Sequence, residues 1–272
     1  MSESPSITDY STYNTRMNIS MVDKLFFVDK IRPDLVVDFG CAAGTLLKNL
    51  SHFCPEWNRI GYDNDINMVT DHSCKESPIT TNWDSITTML QEGVIARDAN
   101  GAVSYTPKYK SPAIVLSSVI HEVFHYGSKA DIDAFWNKVF NTGFKYIVIR
   151  DMVPSRSVDR VSCPNDVKNV YHKFLGTKAL TDFERIWGSI ENNRNLVHFL
   201  LKYKYLEPNW EREVRENYIP IAREDLLAKV PREYDVVFHE HYVLPYILQT
   251  VRDDMGIELK DPTHMKLILR RK

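Results

Sequence analysis

Leu35-Val36-Val37-Asp38-Phe39-Gly40-Cys41-Ala42-Ala43-Gly44-Thr45-Leu46-Leu47 decides how this chain folds. An apolar run, Leu35 to Val37, ends at Asp38. Gly40, Ala42 and Gly44 follow, and then a helix-forming segment, Thr45–Leu50. That is the pattern of a buried parallel strand, a tight turn of small residues and the N-terminus of a helix. Small residues are expected because the backbone passes close to a ligand there and a side chain would block it. Asp38 stands at the strand tip, where its carboxylate can accept from donors on the turn or on that ligand.

A dinucleotide site takes Gly-x-Gly-x-x-Gly at this place. Counting from Gly40, the chain offers Gly40, Ala42 and then Thr45, so the third glycine is missing. An acid followed by small residues two, four and six positions on does fit Asp38, Gly40, Ala42 and Gly44. In this the sequence resembles the class I S-adenosylmethionine (SAM) methyltransferases, whose first motif is an acid followed by Gly-x-Gly-x-Gly. Ala42 departs from the middle glycine. The resemblance implies an α/β fold with a doubly wound, seven-stranded, mostly parallel sheet, SAM as cofactor and methyl transfer as activity. A strand-to-helix turn that binds nothing is the alternative.

With 272 residues the chain can bury one large core, or one core with an inserted subdomain. A net charge of −2 gives no overall field to steer nucleic acid, though a local basic groove stays open. The four cysteines (Cys41, Cys54, Cys74, Cys163) form no CxxC pair, which argues against a zinc ribbon or a disulfide framework. The first residues are polar and no apolar run reaches bilayer length, so a reduced, cytoplasmic protein is expected.

Apolar residues at helical spacing (Met17, Met21, Leu25, Val28) predict an N-terminal helix over 15–30, ended by Pro33. The resemblance makes this helix a cover for the cofactor, with Tyr13 and Arg16 in reach of it; a packing helix with a polar rim is the other reading. The helix from Thr45 leads to a second strand, Asn58–Tyr62, and then Asp63-Asn64-Asp65. An acid about twenty residues past the glycine turn is where a ribose is held, since a carboxylate accepts from both vicinal hydroxyls. Asp63 matches the family's ribose-binding acid, and Asp65 is expected to cap the next helix. After a third strand, Pro78–Thr81, come Asn82-Trp83-Asp84. The resemblance places adenine here, with Asn82 or Asp84 on the exocyclic amine and Trp83 against the ring. A loop with an N-cap before Ser85–Gln91 is the competing reading.

Residues 93–111 read as a hairpin excursion around Asp98-Ala99-Asn100-Gly101. The fourth strand, Ala113–Ser117, runs into Ser118-Val119-Ile120-His121-Glu122-Val123-Phe124-His125. Ser128 and Asp131 suit the start of a helix over Asp131–Phe140, and a fifth strand, Tyr146–Arg150, ends at Asp151. Residues 153–220 lose β-alternation and predict a helical insertion that serves as a lid. It includes a capping box, Thr181-x-x-Glu184, and helices over Asn195–Tyr205 and Trp210–Tyr218. The core, residues 1–152, resumes over 221–272. There a helix covers Arg223–Lys229, a strand Tyr234–Val243, a helix Leu244–Asp254 and a last strand His264–Arg270.

His121-Glu122-Val123-Phe124-His125 is also H-E-x-x-H, which on a helix can hold zinc with Glu122 as general base. Its place directly after a strand, with Gly127 close behind, speaks against a zinc hydrolase, and no metal is assigned. Under the methyltransferase resemblance this segment is the active-site edge. Ser118 would touch the cofactor, while His121 would either take a proton from the acceptor, oriented by Glu122, or pack on the cofactor's methionine part. Arg150 either binds a substrate carboxylate or phosphate or pairs with Asp151 or the lid. The acceptor is expected to be a small molecule. Nucleic acid or protein is the alternative, the former suggested by Lys202-Tyr203-Lys204-Tyr205 and Trp210-Glu211-Arg212, which interleave aromatics with bases.

Overall fold

A computed structural model describes residues 19–66, 77–97, 103–205 and 209–272. Tyr13, Arg16, Cys74, the Asn100-Gly101 turn and most of the helix Asp65 was expected to cap lie outside the described residues. In chain order the elements are α1 (Met21–Lys24), β1 (Leu35–Phe39), α2 (Thr45–Phe53), β2 (Asn58–Tyr62), β3 (Ile79–Thr80) and α3 (Trp83–Gln91). The hairpin strands β4 (Gly93–Arg97) and β5 (Val103–Pro107) precede β6 (Pro112–Ser117), α4 (Ile120–Tyr126), α5 (Lys129–Asn141) and β7 (Tyr146–Met152). Helices α6 (Pro164–Phe174), α7 (Lys178–Trp187), α8 (Asn193–Lys202), α9 (Trp210–Glu213) and α10 (Arg223–Ala228) follow. The chain closes with β8 (Tyr234–Tyr242), α11 (Pro245–Met255) and β9 (His264–Arg271).

Seven strands form one sheet in the order β3-β2-β1-β6-β7-β9-β8, and β4 pairs with β5 apart from it. β1, β2, β3, β6 and β7 run parallel, whereas β9 is antiparallel to both β7 and β8. This is the doubly wound, mostly parallel sheet expected from the sequence. The order reverses beside β1, so the crevice at the carboxyl ends of β1 and β6 is the topological switch point.

Alternation along each strand feeds two cores. Leu35, Val37, Ile114, Leu116, Ile147 and Ile149 face one side, where Trp83 and Ile86 of α3 and Phe135, Trp136 and Val139 of α5 cover them. Val36, Ala113, Val115, Val148 and Ile268 face the other, covered by Leu46 and Leu50 of α2 and by Phe27, Ile31 and Trp57. Each buried aliphatic side chain contributes about 1.5–3 kcal/mol, which is why these short strands are nearly unbroken Val, Ile and Leu.

Between β7 and β8 the helices share a third cluster, in which Phe183, Phe199 and Trp210 meet Val251 and Met255 of α11. Two local expectations differ here. Thr177, not Thr181, caps α7 by accepting from the Leu180 N–H; Thr181 lies within the helix and Glu184 accepts from the Tyr171 hydroxyl. The helix expected over Trp210–Tyr218 stops at Glu213, because the Lys202 ammonium takes the Glu213 and Glu216 carbonyls. By contrast, Ser128 and Asp131 do form a reciprocal capping box on α5.

Within the described residues the N-terminal helix is also shorter than expected. It spans Met21–Lys24 and gives way to turns that bury Phe27 and Ile31. Its anchor is Asp23, whose carboxylate accepts from Arg150 Nε (2.8 Å) and the Tyr242 hydroxyl (2.6 Å) and pairs with Lys266 Nζ (2.8 Å). Removing it strands two cations, so Asp23→Ala should cost about 3–5 kcal/mol in urea unfolding. A loss under about 1 kcal/mol would show that α1 is held by packing alone.

Candidate functional site

The bend after β1 is wound by three left-handed residues: Gly40 (φ 71°), Ala42 (φ 45°) and Gly44 (φ 74°). The Gly40 and Cys41 N–H groups donate to the Tyr62 carbonyl at 2.8 and 3.1 Å, and the Gly44 N–H donates to the Cys41 carbonyl. Ala42 donates its N–H to Asp63 Oδ2 at 2.8 Å, while Asp63 Oδ1 accepts from the Asp65 N–H at 2.9 Å. The tips of β1 and β2 are thereby fastened to each other. Burial raises the Asp63 carboxyl despite these donors.

Position 40 needs glycine for a steric reason that the sequence did not reveal. A Cβ built there would come within 2.3 Å of a Val119 methyl, so Gly40 makes room for the residue that follows β6. Asp38 is 4% exposed, and its carboxylate accepts no hydrogen bond from any described residue. Burial pushes it up to about 7, with the Lys24 ammonium pulling the other way.

At the ends of β6 and β7 the organising group is Asp151. Its buried Oδ2 accepts from the Val119 and Ile120 N–H groups at 2.9 and 2.6 Å, capping α4 from a neighbouring strand. Ser118 makes the turn in the left-handed region (φ 59°), an uncommon conformation for a residue other than glycine. Asp151 Oδ1 takes the His121 Nδ1–H at 2.7 Å, which fixes the ring and its tautomer.

His121 Nε2 lies 3.3 Å from Glu216 Oε1, and Arg212 reaches Glu216 Oε2 (3.1 Å), Glu213 (2.8 Å) and Glu122 Oε1 (3.2 Å). Burial works against the imidazolium, yet Asp151 and Glu216 outweigh it and hold His121 well above its ordinary value. His121 is thus clamped between Asp151 and Glu216, which pull its ring toward the protonated form.

Other site expectations change as well. Trp83 is a core side chain, edge-to-face with Phe39 and Tyr62 at 5.5 and 5.2 Å, and presents no free face to an adenine. The cause is helix phase: Asn82 is the N-cap, accepting from the Asp84 N–H, and this turns residues 83 and 86 inward. Asn82 and Asp84 themselves are exposed. Arg150 is buried and held by Asp23 and by Ser118 Oγ (3.0 Å), so it pairs with neither Asp151 nor residues 153–220.

The two histidines of H-E-x-x-H are not brought together. Among the described residues His121, Glu122 and Glu216 cluster, and His125 packs on Tyr126 instead. Lys202, Tyr203, Trp210 and Arg212 are buried, so the stretch that suggested a nucleic-acid surface forms none there. Asp151, as cap and orienting group, and Glu216 went unread. The former was visible only as an acid at a strand tip, and the latter carried no local signal.

No protein-family model matches the chain, and no curated protein matches it. Among solved structures it is similar to a SAM dependent methyltransferase from Archaeoglobus fulgidus (11% identity, 97% of this chain and 100% of that chain covered, TM-score 0.48). It is also similar to the plantazolicin methyltransferase BamL in complex with a triazolic desmethylPZN analog and SAH (10% identity, 96% and 86% covered, TM-score 0.44). A third is the methyltransferase domain of bacterial CtHen1 (13% identity, 95% and 98% covered, TM-score 0.40). The strand order, read with the glycine bend at its switch point, decides the architecture. The fold is of the class I methyltransferase type. No helix among the described residues is long and apolar enough to cross a membrane.

Gly40→Ala should destabilise by about 2–4 kcal/mol, combining the left-handed backbone with the clash on Val119. Val119→Ala in the same chain should recover at least about 1 kcal/mol in a double-mutant cycle. Additive losses would mean that Val119 is not the reason for the glycine.

Proposed function

We propose that this chain is a SAM-dependent methyltransferase that passes a methyl group in line to a small-molecule acceptor held between the ends of β6 and β7 and the helical segment 153–220. The observation that carries the reading is the joined pair of strand tips: Asp63 bonded to the Ala42 N–H, beside a buried Asp38 whose carboxylate accepts from no described residue. A carboxylate so placed fits an alkylammonium such as the amino group of the cofactor's methionine part. When bound, SAM supplies an electrophilic methyl on a sulfonium sulfur.

The chain's own residues bind and orient. Asp38 accepts from the amino group. Asp63 keeps lone pairs for vicinal ribose hydroxyls while Ala42 and Asp65 hold it in place, and the exposed Asn82 and Asp84 are free to meet the adenine edge. The left-handed turn at Ser118 shapes the wall next to the methyl. His121 and Glu122 border the acceptor space, where exclusion of water and collinear placement do most of what a displacement needs. Burial supports a small acceptor: Arg212 and Glu216 join α4 to the helical segment, and an enclosed edge suits a small molecule better than a polymer.

Calorimetric titration with S-adenosylhomocysteine should show one site per chain. Asp63→Ala should weaken it by roughly 100-fold, the equivalent of about two charged hydrogen bonds. Affinity should fall as the pH drops below about 7, where Asp38 takes up a proton and can no longer pair with the ammonium. Asp38→Asn should flatten that dependence. A wild-type chain that binds no S-adenosylhomocysteine contradicts the reading.

A further inference from the structure

We propose that His121 Nε2, Glu122 and Glu216 form a binding site for one divalent transition-metal cation at the edge of α4. One ligand atom from each lies within 4.8 Å of the others. Atoms that share a cation at about 2.0–2.2 Å are separated by at most roughly 4.4 Å, so small side-chain rotations suffice to close the shell.

Three further features point the same way. The Glu216 side chain is 2% exposed, and its Oε1 has no hydrogen-bond partner although it faces His121 Nε2 at 3.3 Å. A buried carboxylate oxygen is costly without a positive partner, and a cation seated between it and the ring nitrogen supplies one. The ring is already oriented for ligation, because Asp151 holds Nδ1–H at 2.7 Å and turns Nε2 toward Glu216, where a cation would take the place of the Nε2 proton. Metal-binding histidines are oriented in this way by a carboxylate on the far nitrogen.

Arg212 binds Glu216 Oε2 and Glu122 Oε1 and so holds the two carboxylates side by side.

One imidazole with two carboxylates suits Mn²⁺, Fe²⁺ or Zn²⁺ better than Ca²⁺ or Mg²⁺. Glu122 is partly exposed and provides the entry path, and three protein ligands leave positions open for a further oxygen donor. The set excludes His125, so it is not the site that H-E-x-x-H would build. It shares His121 and Glu122 with the proposed acceptor space but makes no use of the cofactor clamp at the β1 bend. The competing arrangement is a proton on Nε2, pairing His121 with Glu216 directly.

Chelator-treated full-length chain, titrated with Mn²⁺ under electron paramagnetic resonance and with Zn²⁺ by dialysis and elemental analysis, decides between them. We expect one equivalent of Mn²⁺ or Zn²⁺ per chain. Glu216→Gln and His121→Ala should each weaken binding by at least about 30-fold, and His125→Ala should leave it unchanged. Should Glu216→Gln fail to fold by circular dichroism, Glu122→Gln, on the partly exposed ligand, should weaken binding by about tenfold or more. No stoichiometric uptake of either metal, or uptake that survives Glu216→Gln, overturns the site. Uptake without S-adenosylhomocysteine binding supports the cation site and contradicts the methyltransferase reading; the reverse pattern does the opposite.

Discussion

The hydrogen bond from the Ala42 N–H to Asp63 ties the acid after β2 to the bend after β1, beside the Gly40 and Cys41 N–H bonds to the Tyr62 carbonyl. Hydrogen bonds to an ionised group contribute about 1.5–3 kcal/mol, enough to hold a strained bend with Ala42 at φ 45°. The same bond fixes where a ribose would meet a carboxylate and where the backbone would meet the rest of the ligand. The proposed chemistry therefore depends on this contact at the switch point of the sheet.

Asp151 plays the corresponding part at the other side of the crevice. It caps α4, which has no side-chain cap of its own, and it aligns His121 in the same stroke. His121 then meets Glu216, and Arg212 bridges Glu216 to Glu122. The helical segment is thus joined to the sheet through charges that are almost wholly buried. Buried ion pairs add little net stability, but leaving one member unpaired is costly, so such a cluster fixes geometry more than it adds free energy. Here it fixes the distance between α4 and the helices that cover it. Asp23 does the same for α1, on a carboxylate shared by three donors.

What was legible in the sequence is local. The bend at Gly40–Gly44, the acid at position 63, the excursion over 93–107 and the Ser128–Asp131 box are all read from residues within a few positions of one another. The alternation of Leu35, Val36 and Val37 between two cores follows from strand geometry alone. The misreadings involve choices that only packing makes. Two threonines stand at the start of α7, and Thr177 wins because residues 179, 180 and 183 must face inward. Trp83 looked like a ligand platform until Asn82 set the helix phase. Lys202 and Tyr203 read as an exposed basic and aromatic pair, yet the ammonium lies over the Tyr218 ring at 4.4 Å and donates to carbonyls. Glu216 could not be found at all, because its link to His121 joins parts of the chain far apart in sequence.

The central claim is that the carboxyl ends of β1 and β2 act as one clamp on a ligand. Hydrogen exchange of the full chain, with and without S-adenosylhomocysteine, tests this most directly, residue by residue. The account expects slowed exchange concentrated in the amides of 40–44 and 61–66, with the far ends of the same strands unchanged. Protection confined to other surfaces, or an unchanged bend at saturating ligand, would contradict it.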